Sequence, residues 1–159
     1  MVPMVASAGL LLFRRVADGG LEVLLGHMGG PYWAAKDDAG WSMPKGEHGP
    51  DEPPLSAARR EFAEEMGAPA PAVDYLPLGS VRASGKTITA WAGEADFDAA
   101  AAVSDTFELE WPPRSGRVQR FPEIDRAQWF DLAAAAVKLV KGQRPFLERL
   151  SAAVAQLPG

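Results

Sequence analysis

Three glutamates and an arginine lie close together near the middle of the chain, at Arg60, Glu61, Glu64 and Glu65. On a helix, which turns by about 100° per residue, Glu61 and Glu65 lie one turn apart with Glu64 beside them. Like charges at this spacing destabilise a helix by about 0.2–0.5 kcal/mol, and burial would raise a carboxyl pKa further. A hard divalent cation relieves this repulsion and also binds phosphate oxygens. The cluster therefore predicts a metal site that handles phosphate, although these four residues alone also fit a solvated helix face.

The acids are predicted to lie on a helix that begins near Glu52 and ends at Gly67. The pair Pro53 and Pro54 suits a first helical turn, and a glycine commonly follows the last turn. Apolar residues recur at helical spacing and form one stripe, at Leu55, Ala58, Phe62 and Met66. The acids fall on the flank of this stripe, so we expect them to be partly sheltered from solvent.

The stretch from Gly46 to Ala68 reads G-x5-E-x7-R-E-F-x-E-E-x-G-A and resembles the complete signature box of the Nudix hydrolases. Every defining position of that box is matched. Outside the box, the resemblance rests on the order of the predicted elements. It implies an enzyme that hydrolyses a phosphoric anhydride in a nucleoside diphosphate linked to another group, with Mg2+ or Mn2+ as cofactor.

The resemblance also implies roles for individual residues. Metal ligands are expected in the box glutamates and in one backbone carbonyl, at Lys45, Glu61, Glu64 and Glu65. The expected catalytic residues are Arg60, which orients a glutamate, together with Glu61, Glu64 and Glu123. Structural roles within the box are expected for Gly46, Glu52 and Gly67.

A further acid outside the box often completes such a site or acts as the base. By its position before Trp129, Glu123 is the first choice, followed by Asp125, Glu110 and Glu108. Either Glu64 or Glu123 would take the proton from the attacking water.

Three residues outside the box are candidates for substrate binding. Trp33 lies in a turn-rich loop and could stack on a base, or pack at the edge of the core. Lys86 follows the Ser84-Gly85 turn and is either a phosphate contact or a solvated hairpin lysine. Arg114 lies in a segment rich in proline and glycine, which interrupt regular secondary structure. Its guanidinium could form a bidentate contact with phosphate oxygens, or simply balance the acidic charge of the surface.

The remaining elements predict an α/β (α+β) fold, a Nudix-like α/β/α sandwich with a mixed sheet flanked by helices. Strands are predicted from alternating or continuous apolar runs, in SAGLLLFR, LEVLLGHM, WSMP, DYLPLGSVRAS, KTITAWAGEADF, TFELEW and AQWFDL. Two helices are predicted in the tail, one closed by Gly142 and one that begins at Pro145.

Composition narrows the class of protein. The 159 residues predict a single Nudix hydrolase domain over 1–159, and the net charge of −5 argues against general nucleic-acid binding. The absence of cysteine excludes disulfides and thiolate chemistry. The apolar run from Val5 to Phe13 is too short to cross a membrane and lacks signal-peptide flanks. We therefore expect a cytoplasmic protein with a small nucleotide or polyphosphate as substrate; the sequence is also compatible with a homodimer.

The favoured substrates are nucleoside triphosphates or dinucleoside polyphosphates. This preference rests on the sequence PKGE, which leads into the box, and on the aromatic residues in the predicted loops. One alternative is a catalytically silent sensor module that binds nucleotide or metal. A second alternative is a purely structural calcium or charge cluster. Sugar nucleotides, capped RNA ends and inositol pyrophosphates also stay open as substrates, because the box specifies the chemistry and not the leaving group.

Overall fold

The fold is a mixed sheet with helices on both faces, as the computed structural model shows for residues 5–83 and 85–158. The strands are β1 Val5–Arg15, β2 Leu21–Met28, β3 Trp41–Ser42, β4 Lys45–Glu47, β5 Tyr75–Ala83, β6 Lys86–Glu94, β7 Thr106–Glu110, β8 Val118–Pro122 and β9 Ile124–Asp131. The helices are α1 Pro54–Met66, α2 Leu132–Lys138 and α3 Pro145–Ala155. Short 3-10 turns occupy Ala99–Ala101 and Lys141–Gln143.

Seven strands form the main sheet, in which β3, β2, β1, β6 and β5 follow one another. Strand β9 pairs with β2, and the short β4 pairs with β1. Only the pairing of β1 with β6 is parallel among the described strands, so the sheet is mixed. Strands β7 and β8 form a separate two-stranded sheet, and we call Thr106–Pro122 the arm.

The central strand β1 separates two cores. Ala8, Leu10 and Leu12 pack with α1 on one face, whereas Leu11 and Phe13 belong to the cluster that α2 and α3 cover. All five side chains are buried, which explains the continuous apolar run from Ala8 to Phe13. The predicted α/β/α sandwich is confirmed.

Helix α1 ends as its sequence predicts. Gly67 adopts a left-handed conformation with φ of 76°, and its N–H donates to the Ala63 carbonyl at 2.9 Å. A Cβ at this position would lie 2.5 Å from the Val103 carbonyl oxygen, so both the backbone conformation and the available space favour glycine.

The tail differs from its prediction in one respect. The predicted helix closed by Gly142 ends instead at Lys138. Leu139 turns to an extended conformation, and the Val140 N–H donates to the Trp41 carbonyl at 2.9 Å. Pairing with the edge strand β3 therefore replaces the last helical turn.

Strand β8 was not predicted, because its sequence, VQRFP, lacks an alternation of apolar and polar residues and its first three residues are exposed. Ser84, part of the predicted turn before Lys86, lies outside the described residues. No helix in the described part of the chain is both long and apolar enough to span a lipid bilayer.

Candidate active site

Helix α1 places its acids at the edge of the buried face. Only 8% of Glu61 and 6% of Glu65 is exposed, while the Glu64 side chain is 40% exposed. Burial raises the pKa of Glu61, the nearby Glu64 carboxylate raises it further, and Arg60 opposes both effects. Two acids of the cluster are therefore more deeply buried than the flanking position on the stripe suggested.

Gly46 gives the Glu61 carboxyl group its place against the box loop. A Cβ on Gly46 would lie 2.0 Å from the Glu61 carboxyl carbon and 2.2 Å from each of its oxygens. No side chain can be accommodated at such distances unless Glu61 moves. Glycine is thus required at position 46 because the Glu61 carboxyl group lies so close to the backbone there, and not because the chain turns.

Arg60 ties the cluster to the loop that precedes α1. Its Nε and Nη2 donate to the two carboxylate oxygens of Glu52 at 2.8 and 3.0 Å. Its Nη1 donates to Glu61 at 2.9 Å and to Glu64 at 3.0 Å, and Nη2 also donates to the Glu47 carbonyl at 3.3 Å. The hydrogen bonds from Arg60 lower the pKa of Glu52. One guanidinium therefore fixes three carboxylates relative to one another.

Glu65 is the most perturbed acid of the cluster. Burial and the neighbouring Glu61 carboxylate raise its pKa to about 8. The charge of Lys45 and a hydrogen bond from the Lys45 backbone N–H act in the opposite direction. The negative charge here is only partly compensated, which is a common property of functional sites.

A cavity of about 340 Å3 lies beside the acids. Its polar lining includes Ser42, Lys45, Glu65 and Glu123. Its apolar lining comes from the end of β2 and the loop after it, from the arm and from the start of β9, and includes Met28, Trp33, Phe107, Leu109 and Ile124. The cavity is large enough for a small-molecule ligand. Its carboxylates could face the charged part of that ligand, while its apolar lining contacts an uncharged part.

The arm and the loop after β2 meet at this cavity. The Tyr32 and Trp111 rings pack edge to face with centroids 5.2 Å apart. A Cβ on Gly30 would lie 2.8 Å from the Phe107 ring, so this ring rests close to the loop backbone. The two segments therefore pack against each other where they line the cavity.

Of the four candidate acids outside the box, the structure brings Glu123 to the cluster. Burial, Asp105 and Glu64 raise its pKa, and its charge acts on Glu61 and Glu65. Asp125 instead accepts from His27 at 2.9 Å, Glu108 accepts from Arg120 at 3.0 Å, and Glu110 accepts from the Arg114 N–H at 2.8 Å.

The three candidates for substrate binding lie in different places. Trp33 lines the cavity, and Lys36 Nζ lies 4.8 Å from its ring centroid. Lys86 is exposed at the start of β6, where it pairs with Val5 and does not line the cavity. Arg114 lies in the tip of the arm with φ of 62°, also outside the cavity lining.

Sequence reasoning missed three residues at this site. Phe107 and Leu109 lie in the predicted strand TFELEW, but the sequence does not place that strand at a cavity. The third is Asp105, whose N–H donates to the Glu64 carbonyl at 2.8 Å and whose own carbonyl accepts from the Glu123 N–H at 2.9 Å. Asp105 belongs to no motif, and only the folded chain brings it next to Glu123.

A family model described as NUDIX domain matches residues 5–150. The chain belongs to the Nudix family. The resemblance found in the box is thereby confirmed, and this Nudix protein is a pyrophosphohydrolase. No curated protein matches the chain.

Solved structures share the fold. The C. elegans Ap4A hydrolase in a binary complex is 24% identical with a TM-score of 0.64, covering 96% of this chain and 99% of that one. A mutT/nudix family protein from Listeria innocua is 16% identical with a TM-score of 0.63, covering 98% and 97%. The NUDIX domain of Shewanella oneidensis NrtR, complexed with ADP ribose, is 17% identical with a TM-score of 0.61, covering 97% and 90%. At these identities the likeness shows the Nudix fold alone.

Nudix hydrolases generally need a divalent cation, and the donor set fits one. Within residues 5–83 and 85–158, no three acid or histidine side chains form a ready-made cage. Magnesium does not require one, because it binds through one or two carboxylates, waters and phosphate oxygens. Glu61, Glu65 and Glu123 all have raised pKa values in the same small volume, so a divalent cation would relieve charge that Arg60 and Lys45 leave uncompensated.

Proposed function

We propose that residues 1–159 act as one Nudix hydrolase domain that cleaves a phosphoric anhydride in a nucleoside triphosphate or a dinucleoside polyphosphate. The observation that carries this proposal is the composition of one cavity. Two acids, Glu65 and Glu123, line the same cavity as Trp33 and Phe107. A ligand with a polyphosphate at one end and a nucleobase at the other matches that pairing of charges and rings.

The cofactor is proposed to be Mg2+ or Mn2+, held by the carboxylates of Glu61, Glu64 and Glu65 and by the Lys45 carbonyl. When bound, such an ion neutralises phosphate charge and lowers the pKa of a bound water. Gly46, Glu52 and Gly67 support this ligand set, because they fix the loop and both ends of α1. Arg60 holds Glu61 and Glu64 through hydrogen bonds of 2.9 and 3.0 Å.

Glu123 and Glu64 are the two candidate bases for the attacking water. The pKa of Glu123 is raised by burial and by Asp105, which brings it closer to neutral pH, where a general base works best. Glu64 accepts a charge-assisted hydrogen bond from Arg60 at 3.0 Å, which restrains its carboxylate. Glu123→Gln should therefore remove the acidic limb of the pH–rate profile if Glu123 is the base, whereas a retained limb assigns the role to Glu64.

The substrate chemistry follows from the cavity and not from the box. The apolar lining favours a nucleobase over a bare polyphosphate, and the fold shared with the Ap4A hydrolase supports a dinucleoside polyphosphate. Lys86 and Arg114 would reach only the outer part of a long ligand, since neither lines the cavity. The acidic net charge does not favour a long nucleic acid as substrate.

The test is a panel of nucleoside triphosphates, dinucleoside polyphosphates and sugar nucleotides, incubated with Mg2+ in water enriched in oxygen-18. Mass detection of the products identifies the bond that is cut and the phosphorus that is attacked. We expect metal-dependent cleavage of an anhydride in at least one of the first two classes, and a rate at least about a hundredfold lower with Glu65→Gln. Binding of nucleotides without any turnover would indicate a silent sensor module and overturn the proposal.

A further inference from the structure

The apolar lining of the cavity presents ring faces and aliphatic groups where a nucleobase would lie. Met28, Trp33, Phe107, Leu109 and Ile124 provide this surface. None of their side chains can accept a hydrogen bond from a base edge, except weakly through the sulfur of Met28. The indole N–H of Trp33 is the only strong donor among these five side chains.

Backbone groups around the cavity are largely committed to the fold. The N–H groups of Met28, Gly29 and Trp33 donate to carbonyl oxygens of Gly40, Glu123 and Gly30, respectively, at 3.0, 2.9 and 3.2 Å. The Ile124 N–H donates to the Ser104 hydroxyl at 3.0 Å, and the Ile124 carbonyl accepts from that hydroxyl, also at 3.0 Å. These groups are unavailable for reading the edge of a base.

Most polar side chains of the lining are committed to the fold or belong to the phosphate end of the cavity. The Ser42 hydroxyl donates to the Met43 carbonyl at 2.6 Å and accepts from the Gln143 amide at 2.8 Å. Lys45, Glu65 and Glu123 belong to the acid cluster and would face the phosphates. Among the described lining residues, Tyr32 is the remaining hydroxyl, and it is 59% exposed and packs against Trp111.

From this arrangement, and resting on the proposed function, we infer that the enzyme holds the nucleobase by its faces without reading its edge. It accepts adenine, guanine, cytosine and uracil nucleotides alike, with Trp33 and Phe107 as the residues that bind the base. Stacking tolerates any base because every base has a π-face. Discrimination of about 10,000-fold or more requires a site built to hydrogen-bond the correct ligand.

The first measurement is kcat/KM for the four nucleoside triphosphates and for their dinucleoside tetraphosphate counterparts. We expect values within about tenfold of one another across the bases in each series, since loss of single contacts in an apolar pocket changes specificity little. A preference above about a hundredfold for one base, with turnover intact, overturns this inference and leaves the proposed function standing.

The second measurement locates the base. Phe107→Ala should raise KM about 5- to 150-fold for every nucleotide, the range expected for loss of one stacking contact, with kcat unchanged. It should not change the KM of ribose 5-triphosphate, which has no base. The matched control is Phe121→Ala, because Phe121 faces Phe107 across the arm with centroids 6.1 Å apart but does not line the cavity. Equal effects of the two variants, or no effect of Phe107→Ala, overturn the assignment.

Calorimetric binding of methylene-bridged analogues separates this inference from the proposed function. One outcome is that there is no turnover, that the four analogues bind with similar affinities, and that Phe107→Ala weakens the binding of all four. This outcome supports face binding and overturns the hydrolase proposal. If there is no turnover and Phe107→Ala leaves the affinities of the analogues unchanged, both the hydrolase proposal and the face-binding inference are overturned. Phe107→Leu, which keeps an apolar side chain, provides a second variant should the alanine variant fail to fold.

Discussion

The acid cluster and the apolar lining meet in one cavity but are built in different ways. The acids of α1, with Gly46 and Arg60, come from a single short stretch of chain, and their spacing follows from one helix. The apolar lining is assembled from the loop after β2, the arm and β9, which are far apart in sequence. The difference suggests a division of work: the contiguous segment sets the chemistry, and the assembled surface sets which molecule is accepted. Changes to the first should lower kcat, and changes to the second should raise KM.

The largest effect is expected from removing a charge of the cluster. Glu64→Gln and Glu65→Gln should each lower kcat by at least about a hundredfold, because a carboxylate is lost from the reacting centre. The control is Glu108→Gln, since Glu108 pairs with Arg120 on the arm and lies outside the cavity lining. Steady-state rates at saturating Mg2+ measure the effect, and wild-type-like rates in both variants would refute the assignment of these acids.

A backbone change should have the next largest effect. In Gly46→Ala the new Cβ would overlap the Glu61 carboxyl group, so we expect kcat to fall by about 10- to 100-fold as that group moves. Gly49→Ala, just after β4, is the matched control, because a Cβ added there would have no neighbour within 4 Å. Equal activities for the two alanine variants would show that the position of Glu61 does not matter for turnover.

A smaller loss of kcat is expected when residue 60 keeps its positive charge but no longer has the several N–H donors of a guanidinium. Arg60→Lys cannot bind both oxygens of Glu52 while also reaching Glu61 and Glu64, so kcat should fall about tenfold. Arg59→Lys, at an exposed neighbouring position, should stay near the wild-type rate. If instead Arg60→Lys raises KM and leaves kcat unchanged, Arg60 contributes to substrate binding more than to the orientation of the acids.

The acid cluster should also make the stability of the metal-free protein depend on pH. Burial and Glu61 raise the folded-state pKa of Glu65 to about 8, from the ordinary glutamate value of 4.5 that applies to the unfolded chain. Between these pH values the folded state holds more protons than the unfolded state, so the free energy of unfolding falls as pH rises. The slope from Glu65 is at most about 1.4 kcal/mol per pH unit.

Thermal unfolding from pH 5 to 8 measures this slope. The contribution of Glu65 is fully present below pH 4.5 and lost as pH rises through 8, so Glu65→Gln should flatten the profile. Saturating Mg2+ should flatten it as well, because a cation favours the ionised carboxylate. A wild-type profile without this slope in the metal-free protein would show that the charge of Glu65 is already compensated.

The part of the fold that local patterns determine was predictable. The apolar stripe of α1, the glycine at its end and the continuous apolar run of β1 each specify their element without distant contacts. The end of α2 was not predictable, because it depends on pairing between Val140 and Trp41. Strand β8 is exposed and exists through its pairing with β7, so its own residues give no strand pattern.

The site divides in the same way. The spacing of Glu61, Glu64 and Glu65 is visible in the sequence, whereas the place of Glu123 beside them depends on how β9 begins next to α1. Phe107 reaches the cavity only because the arm folds back onto the loop after β2, and Asp105 meets Glu64 and Glu123 only through backbone hydrogen bonds formed in the folded chain. Such residues carry no signal in a single sequence, since their neighbours are set by tertiary structure.

The most direct test of the central claim is a crystal of the wild-type protein soaked in Mn2+, with diffraction recorded at a wavelength where manganese scatters anomalously. We expect an anomalous peak within coordination distance of the carboxylates of Glu61, Glu64 and Glu65, and its loss in Glu65→Gln. A clear peak elsewhere on the protein, with none beside these three glutamates, would show that they do not hold the metal.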